Sequence, residues 1–175
     1  MSLVLLTGGA RSGKSALSVA IAGRHCGDVV FLATAEARDD EMRARIAAHR
    51  AARPGTWTTV EEPLHLDRAI AAADSSACLI VDCLSLWVAN LLESRDARAV
   101  ERAAAVAADR AAARPAPTIA VTNEVGLGVV PATPVGRAYR DVLGRVNAAW
   151  AARASEAYLV VAGRVLPLQA AEAIL

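Results

Sequence analysis

Short apolar runs recur along the chain, each ending in small or polar residues, with amphipathic stretches between them. Leu3 to Thr7, Asp28 to Thr34, Ala77 to Asp82, Thr118 to Thr122 and Tyr158 to Ala162 are rich in Leu, Val and Ile with little polar alternation. That pattern predicts strands buried on both faces. Trp57 to Val60 predicts a shorter strand that stops at Glu61-Glu62-Pro63. Helices are predicted over Ser15 to Cys26, with Gly27 as the stop, and over Asp40 to Arg53, with Asp39-Asp40-Glu41 at the positive end and Pro54-Gly55 beyond. Further helices are predicted over Leu64 to Ala73, Leu84 to Leu92, Asp96 to Arg114 and Val135 to Arg153. The alanine-arginine segment Asp96 to Arg114 reads as an outer helix of low burial, and the tail Gln169 to Leu175 as either a short helix or a frayed end.

Strands that alternate with helices predict a parallel α/β sheet with helices on both faces. In such sheets ligands bind beyond the carboxyl ends of the strands. The residues that follow each strand therefore carry the functional interest: Gly8 to Ser15, Ala33 to Glu36, Glu61, Asp82 and Asn123-Glu124.

Composition narrows the classes. At 175 residues the chain suits a single domain, 1–175, with no linker or repeat. Lys and Arg number 19 against 18 Asp and Glu, and aromatics are only 3%. Neither a basic footprint nor a base-stacking platform is present, which argues against nucleic acid as a partner. Cys26, Cys78 and Cys83 lack paired metal-ligand spacing and suit free thiols in a reducing compartment. No apolar run is long enough for a membrane span, and the first run stops at a glycine loop, so the expected location is the cytoplasm.

The stretch Gly8-Gly9-Ala10-Arg11-Ser12-Gly13-Lys14-Ser15 reads G-x-x-x-x-G-K-S between a strand and a helix. Glycines there let successive backbone N–H groups face phosphate oxygens, and the helix adds its positive end. Lys14 is the only lysine in the chain. It would reach the β- and γ-phosphates, while Ser15 would ligate Mg²⁺. Asp82, at the end of an apolar strand, suits a partner for that ion; an Asp in that place also suits the cap of the next helix.

His49 shares a helix stripe with Met42, Ile46 and Arg53, with Arg45 one turn before it. Arginines on both sides suit an anionic ligand, and a neutral imidazole can attack phosphorus. The other reading is a half-buried packing imidazole. His25 and His65 lack such a setting and read as surface or packing residues. Asn123 to Pro131 is a long, apolar connection, which favours contact with a bulky ligand or another subunit.

On these residues the chain resembles the bifunctional adenosylcobinamide kinase / adenosylcobinamide-phosphate guanylyltransferases of cobalamin biosynthesis. The resemblance rests on Gly8 to Ser15, Ala33-Thr34-Ala35, Asp39-Asp40-Glu41-Met42 with Arg45-Ile46 and His49, Thr122 to Gly126, and Gly144 to Asn147. It implies a RecA-like P-loop fold and two steps: phosphorylation of the adenosylcobinamide aminopropanol hydroxyl by ATP or GTP, then transfer of GMP from GTP to adenosylcobinamide phosphate through a guanylylated histidine, here His49. It further implies nucleotide contacts at the phosphate loop, Ala33 to Ala35, Arg50, Ala51, Ala52, Arg53, Glu61 and Asp82, and a homotrimer. A plain small-molecule kinase and a nucleotide-dependent assembly ATPase are the competing readings.

Overall fold

The computed structural model describes residues 3–170. Its elements run β1 (Leu3–Thr7), α1 (Lys14–Ala22), β2 (Val29–Ala33), α2 (Asp40–Ala51), β3 (Thr58–Glu61), α3 (Leu66–Ala72), β4 (Cys78–Asp82), α4 (Leu84–Leu92), α5 (Ala97–Ala112), β5 (Thr118–Val121), α6 (Pro134–Ala151), β6 (Glu156–Val161) and β7 (Arg164–Leu168). The strands form one sheet in the order β3-β2-β4-β5-β1-β6-β7. Pairing is parallel throughout except for β7, which runs antiparallel to β6.

The strand period of two divides the core. Leu3, Leu5, Val30, Leu32, Leu79, Val81 and Ala120 face the layer built by α3, α4, α5 and α6, where Trp87 and Trp150 are buried. Val4, Leu6, Phe31, Cys78, Ile80 and Ile119 face the other way, against Leu17, Ile21 and Ala22 of α1. The unbroken apolar runs of the strands reflect this two-sided burial.

Helix starts follow their caps. Asp39, Asp96 and Thr133 accept from the backbone N–H of Met42, Ala99 and Gly136, and Pro134 supplies the preset φ of a first helical turn. Two helix expectations are corrected. α1 ends at Ala22, because beyond Gly23 the bonds tighten to three-residue spacing, Arg24 N–H donating to Ile21 O and His25 N–H to Ala22 O, so Gly27 is not the stop. The helix α5 is not poorly buried: Val100, Ala104, Ala107, Ala108 and Ala111 are sealed against α3 and α6, since alanine lets helix backbones approach closely.

β7 is an addition to the predicted elements. Ala162 and Gly163, both at positive φ, turn the chain back along β6. Residues 171–175 of the tail lie outside the described residues, and Gln169 and Ala170 have no regular structure. Among the described residues no helix is long and apolar enough to cross a membrane.

Candidate active site

The carboxyl ends of β1, β2, β4 and β5 open into one cavity of about 550 Å³. The loop between β1 and α1, with the first turn of α1, forms its floor, from Ala10 to Ala16. Gly8 enters that loop at φ +149°, and a Cβ there would be driven into the carbonyl oxygen of Val160 on β6. Only glycine permits this approach. The loop is braced from the same side by the hairpin, whose Gly163 N–H donates to Ser12 O at 2.9 Å, and from the other by Glu124 N–H, which donates to Gly8 O at 3.0 Å.

Lys14 is 6% exposed and folds back on the loop: Nζ donates to Gly9 O at 2.6 Å and to Ser12 Oγ at 3.3 Å. Burial holds its ammonium below the ordinary lysine range, with Cys83 and Asp82 pulling the other way. An ammonium so placed, desolvated and bonded to neutral acceptors alone, is poised for a stronger anionic partner. Ser15 lines the cavity beside it.

Asp82 closes β4, and Thr34 directly follows the end of β2 next to it. The Thr34 hydroxyl donates to Cys83 O at 2.7 Å and accepts from Cys83 N–H at 2.9 Å, while Thr34 N–H donates to Asp82 O at 3.1 Å. Asn90 on α4 completes the knot by donating to Thr34 O at 2.9 Å. Thr34 thus spends its polar groups on the backbone around Asp82 and does not face the cavity, unlike Ala33 and Ala35.

The helix α2 forms the opposite wall and buries none of its residues fully. Glu41, Met42, Arg45, Ile46, Ala48 and His49 line the cavity from it. His49 points inward, its Nδ1 3.8 Å from Asp82 Oδ2. Just beyond the helix, Arg53 lays its guanidinium over the Phe31 ring, 3.7 Å from the centroid, and its Nε donates to His49 O at 3.0 Å. Arg53 Nη1 is buried with no hydrogen-bond partner, and burial together with Arg50 lowers the pKa of this group.

Of the residues singled out from sequence, Ala10 to Ser15, Ala33, Ala35, His49, Arg53 and Asp82 meet at this cavity. Gly8 and Gly9 shape the loop beneath it. Arg50, Ala51, Ala52 and Glu61 are exposed and lie off its wall. Phe31, Cys83 and Leu86 are cavity residues that sequence reasoning missed. Phe31 is the sole phenylalanine of the chain, next but one to a strand end, and that was the available signal.

A glycine-rich β-to-α loop with a buried lysine, set on a sheet of this order, defines a RecA-like P-loop protein of the nucleotide-binding class. The fold is shared with a prototypical ATPase from the type III secretion system of pathogenic bacteria, at a TM-score of 0.56 and 15% identity over 90% of this chain and 50% of that one. It is shared too with a KaiC-like protein from Pyrococcus horikoshii, at 0.51 and 16% identity over 90% of this chain and 70% of the other. The family model described as cobinamide kinase / cobinamide phosphate guanyltransferase matches residues 4–168, and the chain belongs to that family. It is 42% identical to the bifunctional adenosylcobalamin biosynthesis protein CobP of Pseudomonas aeruginosa, over 94% of this chain and 96% of the relative. The corresponding protein CobU of Escherichia coli is also 42% identical, over 92% and 96%.

Proposed function

We propose that this single domain phosphorylates the aminopropanol hydroxyl of adenosylcobinamide with ATP or GTP, and then transfers GMP from GTP to the new phosphate by way of His49. Membership of the kinase/guanyltransferase family supports both activities. The observation that carries the assignment of residues is that Lys14, Asp82 and His49 wall one cavity.

In the first step the substrate hydroxyl oxygen bonds to the γ-phosphorus as the bond to the β-phosphate oxygen breaks, the nucleoside diphosphate leaves and the hydroxyl proton is released to water. The ammonium of Lys14 and the N–H groups of the loop offset the charge on the transferred group and on the leaving oxygens. In the second, Nδ1 of His49 faces Asp82, which leaves Nε2 for phosphorus. Nε2 bonds to the α-phosphorus of GTP as the bond to the β-phosphate oxygen breaks and pyrophosphate departs. A phosphate oxygen of adenosylcobinamide phosphate then takes the guanylyl group and restores the imidazole. Splitting the transfer this way lets each half be one in-line displacement. Arg45 and Arg53, both on the cavity wall, supply positive charge to the anionic groups.

The donors also fit a divalent ion. Ser15 and Asp82 bring a hydroxyl and one carboxylate to the same cavity, and among the described residues no group of three or more His, Cys, Asp or Glu is assembled to hold an ion unaided. That set suits Mg²⁺, which favours few carboxylates together with phosphate oxygens and water. Bound there, it would offset charge on the phosphates. Three cysteines without disulfides support a reducing cytoplasm, and the family resemblance supports a homotrimer.

Incubation with α-labelled GTP tests the carrier. Wild type should take up label in a bond stable to alkali and broken by acid, and His49→Ala should take up none while still phosphorylating adenosylcobinamide. Label retained by His49→Ala would remove His49 from the chemistry.

A further inference from the structure

At about 550 Å³ the cavity matches a site for one small molecule, within roughly 300–1,000 Å³. A corrinoid is far bulkier than a nucleotide. In a cobinamide kinase, therefore, only the hydroxyl-bearing arm can share this space with a nucleoside triphosphate. The macrocycle has to rest outside the mouth, on a surface of its own.

The connection that leaves the cavity wall at Asn123 has the character of such a surface. Its base is pinned: Asn147 Nδ2 donates to Asn123 O at 3.0 Å, its Oδ1 accepts from Thr122 Oγ1 at 2.7 Å, and Glu124 N–H is held by Gly8. Its far end is pinned as well, by the Thr133 cap and by Arg137 Nη1, which donates to Pro131 O at 3.1 Å and Ala132 O at 2.8 Å. Between these anchors the chain turns apolar side chains to solvent. Leu127 is 84% exposed, Val129 95% and Val130 60%, and just past the anchor, on the first turn of α6, Val135 is 79% exposed. A single exposed aliphatic group is ordinary, but four along one anchored segment and the helix turn after it, beside a binding cavity, mark a contact surface.

Charge narrows the partner. No charged residue occurs between Glu124 and Arg137. A corrin ring bears methyl groups and uncharged amides around its rim, so an apolar, uncharged seat matches it, and the segment that carries the seat starts at Asn123, on the wall of the cavity into which the arm must reach. We propose that Leu127, Val129, Val130 and Val135 seat the corrin ring of the substrate. This rests on the kinase/guanylyltransferase reading above.

Equilibrium dialysis with adenosylcobinamide, followed by its visible absorbance, reads the seat directly. Val129→Asp should weaken binding about tenfold, and the milder Leu127→Ala about threefold, as expected for loss of one buried aliphatic contact. Both variants should take up label from α-labelled GTP at the wild-type rate and keep the wild-type mass by light scattering. Unchanged corrinoid affinity in both would overturn the seat. So would a lower mass, which would assign the surface to contact between copies of this chain. A wild type that binds no adenosylcobinamide refutes the activity itself, whereas a wild type that binds it no better than the variants refutes only the seat.

Discussion

His49 Nδ1 on α2 stands 3.8 Å from Asp82 Oδ2 at the end of β4. The carboxylate is 11% exposed, and Lys14 and Arg53 both feel its charge. On the proposed assignment, one acid serves both steps.

This shared acid separates two substitutions. Asp82→Asn should depress both phosphorylation and guanylyl transfer, each by about 10²-fold, the lower end of what a positioned acid or base contributes. His49→Asn should abolish transfer alone. Parallel assays with γ-labelled ATP and α-labelled GTP distinguish them; an Asp82→Asn enzyme with a normal kinase step would confine Asp82 to His49.

Lys14 sets function against stability. Since burial lowers its pKa from 10.5, the unfolded chain binds this proton more tightly than the folded one. Between the lowered value and 10.5 the contribution of this group to stability rises with pH, and at neutral pH it is a cost. Lys14→Met should raise Tm at pH 7 by about 2–4 °C, a typical response to about 1 kcal/mol in a domain of this size. That gain should narrow as pH approaches 10.5, and the nucleotide-induced rise in Tm should vanish. Calorimetry with and without nucleotide checks all three.

The stack of Arg53 on Phe31 pins α2 next to His49. A partly desolvated contact of this kind is worth about 1–2 kcal/mol. Phe31→Leu should therefore slow guanylylation of the enzyme about tenfold at saturating GTP and leave phosphorylation within about twofold, with Phe31→Tyr restoring the rate. Equal losses in both steps would show that Phe31 acts only through the stability of the sheet.

Ser15→Ala removes one of the two oxygen donors proposed for the divalent ion. The Mg²⁺ concentration for half-maximal phosphorylation should rise about tenfold, the low end for weakening a metal site by one supporting group. Titration of the chelated enzyme with Mg²⁺ measures it. An unchanged midpoint would place the ion elsewhere.

How far the sequence reaches depends on the distance over which its signals act. The cavity floor was legible because strand, loop and helix adjoin along the chain, and Asp82 because parallel sheets gather their ligands at strand ends. β7 escaped notice because Pro167 demotes a strand reading and edge pairing leaves no two-sided apolar run. The burial of α5 was hidden by alanine, whose small side chain signals little by itself yet packs fully against α3 and α6. The contact of Arg53 with Phe31 joins separate elements at a distance no periodicity encodes, and so does the knot of Thr34 around Cys83.

Because α2 buries no residue fully, its amino acids are nearly released from the demands of folding. Natural selection acting on Met42, Arg45, Ile46 and His49 therefore judges chemistry with little interference from the rest of the molecule. Such a segment can lose or alter its reaction while the scaffold, with its phosphate loop intact, continues as a serviceable kinase. With His49 as the proposed carrier, the second activity would occupy an evolutionarily detachable wall, open to drift and to reinvention without rebuilding the sheet.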